Sequence, residues 1–154
     1  VMRRTFLDRS LRSLLSYAKD ADSRLVRIPA WGPSMPDYPE SFDHMLAAWN
    51  ESNASMVRGH LEKALTAEVR FVDPSIDVTG IDAFEANVHE VHSRLPGAVY
   101  SRTSGVDSQH GFHRYHWAIH QNGDLLVPGF DVVETDSEGL VVCVIGFFGP
   151  VPGI

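Results

Sequence analysis

The chain has a single cysteine, Cys143, among its 154 residues. One thiol closes no intrachain disulfide and builds no thiolate zinc site, which points to a reducing compartment such as the cytoplasm. Cys143 itself is expected to be a small buried apolar side chain. No apolar run approaches the roughly eighteen residues that a membrane span needs. A glycine-rich phosphate loop, a nucleophile elbow and a Cys-x-x-Cys pair are also missing. Basic residues are scarce outside the start. Residues 1–30 carry seven Arg and Lys against three Asp, and the remainder carries six against seventeen acids. An acidic body of this kind disfavours nucleic acid as a partner. The eight histidines offer no metal set. His89 and His92, or His110 and His113, have no carboxylate spaced to complete a coordination shell.

What is present divides the chain in two. Residues 1–40 read as an N-terminal extension: Leu7, Leu11, Leu14, Leu15 and Ala18 recur at helical spacing. The stretch "RIPAWGPSMPDYPE" follows, and its four prolines forbid regular structure. Residues 41–150 read as one domain. "SFDHMLAAWNESN" begins with a candidate Ser cap and puts Phe42, Met45, Leu46 and Trp49 on one face. "ASMVRGHLEKAL" predicts a second helix. "EVRFVDP" predicts a strand that stops at Pro74. "IDAFEANVHEVHSRL" repeats Ile81, Phe84, Val88, Val91 and Leu95 as a third helix, closed by Pro96-Gly97. From Ala98 onward the reading is all strand, with turns at Asn122-Gly123 and at "DSEG". Helices followed by a strongly curved antiparallel sheet make an α+β fold.

Asp131, in "LLVPGFDVV", stands inside a run that otherwise reads as a buried strand. An ionised carboxylate there is costly unless it is paired or hydrogen-bonded. With a two-residue loop at Asn122-Gly123, Asp131 faces Arg114, and His116 lies diagonal to it, a register that a bulge at Pro128-Gly129 would break. The three then project to one side as a charged and hydrogen-bonding group. Tyr115, Trp117, Ile119, Phe130 and Val132 fall on the other face, which suits packing against another sheet or a second subunit. A buried Arg–Asp pair that is merely structural is the plainer alternative, and Asp73 before Pro74 also suits a simple turn-former.

The order of elements, with "RFVDP" after the helices and "GFDVVETDSEGLVVCVIGFFG" at the end, resembles the nuclear transport factor 2-like superfold. More narrowly, it is similar to the SnoaL-like and ketosteroid-isomerase-like branches, over about residues 41–150. The resemblance implies a cone in which helices close one end of the curved sheet over an apolar pocket with a few buried acids. It implies that Asp73 matches the isomerases' general base and Asp131 their acid at the enolate oxygen. Val144 and Phe148 match positions that line the pocket. The isomerases' first-helix tyrosine is Met45 here, their third-helix aromatic is Glu85, and Arg114 stands where they are apolar. Beside Arg114, Asp131 is expected to stay ionised.

The resulting expectation is an acid–base enzyme of isomerase, cyclase or dehydratase type. Asp73, His116, Asp131 and Arg114 form its catalytic set, and Met45, Trp49, Phe84, Glu85, Val144 and Phe148 its walls. Its ligand is a small apolar or polycyclic molecule, with no metal or organic cofactor required. A homodimer through the outer sheet face, using Tyr115, Trp117 and Phe130, is expected as well. A non-catalytic binding or assembly module of the same fold is the alternative.

Overall fold

The computed structural model describes residues 38–154. The expected helix and proline-rich strap of residues 1–40 lie outside them, save for the last three. Among the described residues there are three helices: α1 (Ser41–Asn50), α2 (Ala54–Ala64) and α3 (Ile81–Arg94). The strands are β1 (Leu65–Val72), β2 (Asp77–Thr79), β3 (Val99–Arg102), β4 (Asp107–Gln109), β5 (Phe112–Gln121), β6 (Asp124–Thr135) and β7 (Val141–Phe148). They form one curved sheet in the order β2-β1-β7-β6-β5-β3, with β4 pairing further along β5. The α+β class stands. The sheet is antiparallel except where β1 runs parallel to β7.

Local chemistry explains the helix starts. Ser41 does not cap α1 with its side chain. Its hydroxyl instead donates to the Gly139 carbonyl at 2.6 Å and pins α1 to the β6–β7 turn. Asn53 caps α2, its Oδ1 accepting the Ser55 N–H at 3.1 Å, which satisfies a donor the helix itself leaves free. Arg58 of α2 then reaches Asp82 and Glu85 of α3 and ties the two helices together.

The β5–β6 hairpin sets the site. Asn122 and Gly123 take positive φ values of 54° and 88°, the two-residue turn expected of Asn-Gly, and Gln121 pairs with Asp124. A bulge follows directly. His120 pairs with Leu125 but Ile119 pairs with Val127, so Leu126 is an extra residue. Beyond it Tyr115 lies opposite Asp131, Arg114 opposite Val132 and His116 opposite Phe130. A slip of one residue exchanges the two faces of a strand. The expected pairing of Arg114 with Asp131 is thereby corrected.

The core fills the space between the helices and the inner sheet face. Phe84 is fully buried, with ring centroids 5.7 Å from Trp49 and 4.9 Å from Phe71. Val57, Leu61, Val69, Val88, Val133 and Val141 are sealed around it. Cys143, expected to be buried, is only half-buried. It pairs with Glu134 and Arg70, both exposed, and so belongs to the outer face. Among the described residues no helix is long and apolar enough to cross a membrane. Removing the Phe84 ring leaves a cavity that its aromatic neighbours cannot fill. Phe84→Ala should therefore lower unfolding free energy by about 3–5 kcal/mol, read by urea denaturation.

Candidate functional site

A hollow of about 310 Å³ opens between the helices and the inner face of the sheet. The α1 helix presents Phe42, Met45, Leu46 and Trp49 to it, at the spacing of one helical face. Asn87, Val91, Arg94 and Leu95 border it from α3 and its end, and Tyr100 and Arg102 from β3. Tyr115, Trp117 and Ile119 of β5 complete the floor with Asp131 of β6 and with Val144, Gly146 and Phe148 of β7. A mostly apolar concavity with a few converging polar groups is the usual form of a small-molecule site.

Asp131 is its chemical centre. The Trp117 Nε1–H donates to Oδ1 at 2.7 Å, and the Tyr115 hydroxyl donates to Oδ2 at 3.2 Å. Two glycines make the room. A Cβ on Gly129 would fall inside the Trp117 indole, so only glycine lets that ring lie across the strand toward the carboxylate. A Cβ on Gly146 would meet Asp131 Oδ1 at 3.2 Å and the Asp73 Cβ at 3.5 Å, so the two acids close on one point of β7. Burial pushes the Asp131 carboxyl up to about 6, against the pull of its Trp117 and Tyr115 donors, and the Asp73 charge adds to the rise. Burial likewise holds the Tyr115 phenol well above its ordinary range, so it remains a donor. The expected arginine partner is corrected: Tyr115, not Arg114, lies opposite Asp131, and burial in place of a paired cation sets its carboxyl.

Asp73 borders the hollow at the end of β1 and also shapes a turn. Its Oδ1 accepts from the Ser75 N–H at 2.7 Å, the Ser75 hydroxyl at 2.6 Å and the Ile76 N–H at 3.0 Å. Arg114 and His116 sit elsewhere. Arg114 is exposed and donates to Asp107 Oδ2 at 2.7 Å, and His116 is exposed with its ring 5.1 Å from Phe130. The Leu126 bulge of β6 moves Asp131 off their face of the sheet and onto that of Tyr115 and Trp117. Met45, Trp49, Val144 and Phe148 do line the hollow. Phe84 stands behind the wall, in the core. Glu85 is turned toward α2, where it accepts from Arg58 at 3.0 Å and lies 3.5 Å from His89. The inward histidine of β5 is His113, buried and spent between the Ser108 and Thr135 hydroxyls at 2.8 and 3.0 Å. Among the described residues no cluster of three or more His, Cys, Asp or Glu is placed to hold a metal ion.

No protein-family model matches the sequence, and no curated protein matches it. Solved structures do. A proposed isomerase of the SnoaL-like family from Agrobacterium tumefaciens is 28% identical, with a TM-score of 0.67 over 71% of this chain and 95% of that one. A nuclear transport factor 2-like protein of unknown function from Cytophaga hutchinsonii is 12% identical, with a TM-score of 0.57 over 77% and 96%. A proposed SnoaL-like polyketide cyclase from Jannaschia is 14% identical, with a TM-score of 0.56 over 76% and 91%. The described domain has the nuclear transport factor 2-like fold, a cone of helices on a curved sheet. Within that superfold its likeness runs to the SnoaL-like branch.

The raised Asp131 carboxyl carries a stability consequence. Its ordinary value is 3.8 and its folded value is about 6, so the fold favours the neutral form. That preference stabilises the fold fully below about pH 4 and is lost as pH rises through about 6. Asp131→Asn keeps an acceptor but never ionises. It should be more stable than wild type by roughly 1–3 kcal/mol at pH 7.5, and the gap should close toward pH 4 in urea titrations at both values.

Proposed function

We propose that the protein is an acid–base enzyme that relocates a proton on a small, largely apolar molecule, as an isomerase or cyclase does. The observation that carries this reading is Asp131: a carboxyl with two fixed donors, set in an apolar hollow, titrating near neutral pH. A proton-transfer group works best when its pKa lies close to the operating pH. Ionised Asp131 would take a proton from carbon beside a carbonyl, and the bonding pair would move onto the carbonyl oxygen. The same carboxyl, now neutral, would return the proton at another atom of the same molecule. Trp117 and Tyr115 would aim it through both steps. Asp73 would act as the second carboxylate, its charge favouring the protonated form of its neighbour. Met45, Trp49, Val144 and Phe148 would hold the apolar body, and no cofactor enters the scheme.

The outer sheet face gives the same reading a quaternary side. Phe112, Ile145 and Phe147 are exposed there, with the Phe130 ring 6.4 Å from that of Phe147. Tyr115 and Trp117, expected on this face, are withdrawn into the hollow. Phe130 and Phe147 in their place would seat a second copy, as large exposed apolar patches tend to do. Sedimentation at micromolar concentration should give a dimer, and a lone monomer would retire that part of the reading. A cytoplasmic setting, argued from the single cysteine, belongs with it.

The catalytic part is tested with 2-tetralone, a bicyclic ketone with exchangeable protons beside its carbonyl. Wild type should catalyse their exchange with D₂O, followed by NMR, with a rate that climbs as pH passes through about 6. Asp131→Asn should lose about 10²-fold or more. Asp73→Asn should move the inflection to lower pH, because a like charge is removed. Equal exchange by wild type and Asp131→Asn would leave the non-catalytic binding module as the better description.

A further inference from the structure

The hollow holds two acids whose charge nothing around them balances. Asp131 sits on its floor and Asp73 beside it, both closing on Gly146. Two arginines border the same space, and each is tied to an acid of its own. Arg94 pairs with Glu90, one turn back on α3. The Arg102 guanidinium lies 4.4 Å from the Tyr38 ring and donates through Nη2 to Asp43. Among the described residues no lysine and no histidine borders the hollow.

Asp73 has the open oxygen. Its Oδ1 takes all three donors of the Ser75–Ile76 turn, while its Oδ2 accepts from none of the described residues. That oxygen is not sealed in: the one buried side-chain atom without a partner among the described residues is Arg102 Nη1. Burial raises the Asp131 carboxyl and the Tyr100 phenol, and the Asp73 charge adds to both rises. The charge is therefore felt on the floor and on the β3 wall alike. Aromatic faces surround it. Trp49 and Tyr100 stack at 5.1 Å on one wall, and Trp117 meets Phe148 edge-on on another. Such faces attract a cation. Carboxylates in a space poor in water add to that pull and oppose a further negative charge.

We propose that the ligand of the hollow is a lipophilic amine, its apolar body filling the aromatic space and its protonated nitrogen donating to Asp73 Oδ2. This rests on the reading of the hollow as a small-molecule site, and it narrows the ligands of that site to cations. Neutral molecules of the same shape bind more weakly, and carboxylates more weakly still. An ammonium at Asp73 also cancels the like charge beside Asp131, which lowers that carboxyl and frees it to act as a base. The coupling is reciprocal: ionised Asp131 strengthens the hold on the ammonium, so affinity rises as pH climbs through about 6. Burial keeps the Tyr115 phenol well above that range and the Tyr100 phenol at about 12. The two arginines hold their charge, and α1 and β7 bring no titratable side chain to the hollow.

The test uses three probes of one shape: 2-aminotetralin, the hydrocarbon tetralin, and tetralin-2-carboxylate. Binding is read from the quenching of tryptophan fluorescence, since Trp49 and Trp117 border the hollow. At pH 7.5 wild type should bind the amine at least about tenfold more tightly than the hydrocarbon, with the carboxylate weakest. That preference should grow several-fold between about pH 5 and 7.5. Asp73→Asn keeps an acceptor for the turn and loses the charge, so it should cut the preference at least about fivefold. Asp131→Asn should leave a preference that no longer changes with pH, and it carries the test if Asp73→Asn fails to fold. A wild-type ratio near one, a carboxylate that binds as well as the amine, or no binding of any probe overturns the proposal. So does a preference unmoved in Asp73→Asn, or a rise with pH that survives in Asp131→Asn. Quenching is blind to turnover. A lost amine preference with 2-tetralone exchange intact sinks the amine claim alone. A full preference without any exchange sinks the catalytic reading alone.

Discussion

Two hydrogen bonds to one carboxylate organise this protein. Without the Trp117 indole N–H and the Tyr115 hydroxyl, Asp131 would be an unpaired acid on the inner face of a sheet, at a cost of several kcal/mol. With them the acid can remain, half-buried, with its pKa lifted to about 6 rather than driven far higher. Both donors are amphipathic aromatics, able to wall an apolar hollow and satisfy a polar group at the same time. The indole would not reach Asp131 without glycine at 129, where any side chain would collide with it, and a side chain at 146 would crowd the carboxylate. The site is thus built from the backbone outward. A bulge sets the register, glycines clear the approach, and aromatics supply the donors.

Much of this was legible in the sequence, and the part that was not has a definite physical reason. Helical spacing located α1, α2 and α3, and Asn122-Gly123 located the hairpin turn. Pro128-Gly129 marked where a bulge could break the register, and the extra residue is Leu126, two positions before that pair. The alternation within "FHRYHWAIHQ" sets Tyr115, Trp117 and Ile119 apart from Arg114, His116 and His120, and hydrophobicity alone sends the aromatic set inward. The turn, extended without interruption, puts Asp131 on the other face, beside Arg114. Those two signals conflict over ten residues, and a one-residue bulge is the least disruptive way to satisfy both. The conflict itself was the available clue. It is easily masked, because a carboxylate opposite an arginine leaves no unsatisfied group to betray a wrong register.

The third helix shows a subtler limit. Its apolar residues Phe84 and Val88 fix which side faces the core, yet the hollow is bordered by the neighbouring stripe of Asn87, Val91 and Arg94. Hydrophobic periodicity reports burial, and a cavity wall need not be the most buried stripe. Glu85 illustrates the other direction. Matched by position to a wall residue, it is instead drawn to Arg58 on α2, a partner 27 residues away in sequence that no spacing rule connects to it. Helix-to-helix ion pairs depend on where two helices cross, and that is a property of the assembled domain.

The hollow has to be kept open, since interiors otherwise close to crystal-like density. Rigid plates do this better than flexible chains. Trp49 stacks on Tyr100 at 5.1 Å and 20°, and Trp117 meets Phe148 edge-on at 5.8 Å and 85°. Each ring is braced by another, so collapse into the space would forfeit those aromatic contacts. Phe42 and Phe71 beside them, and Phe84 with the sealed valines behind, supply burial that offsets an unfilled volume and a desolvated acid. Arg102 is held just as firmly on its own wall. It is stacked on Tyr38 and fixed by Asp43 through one nitrogen. Rigidity on both walls is what keeps the acid beside an open space.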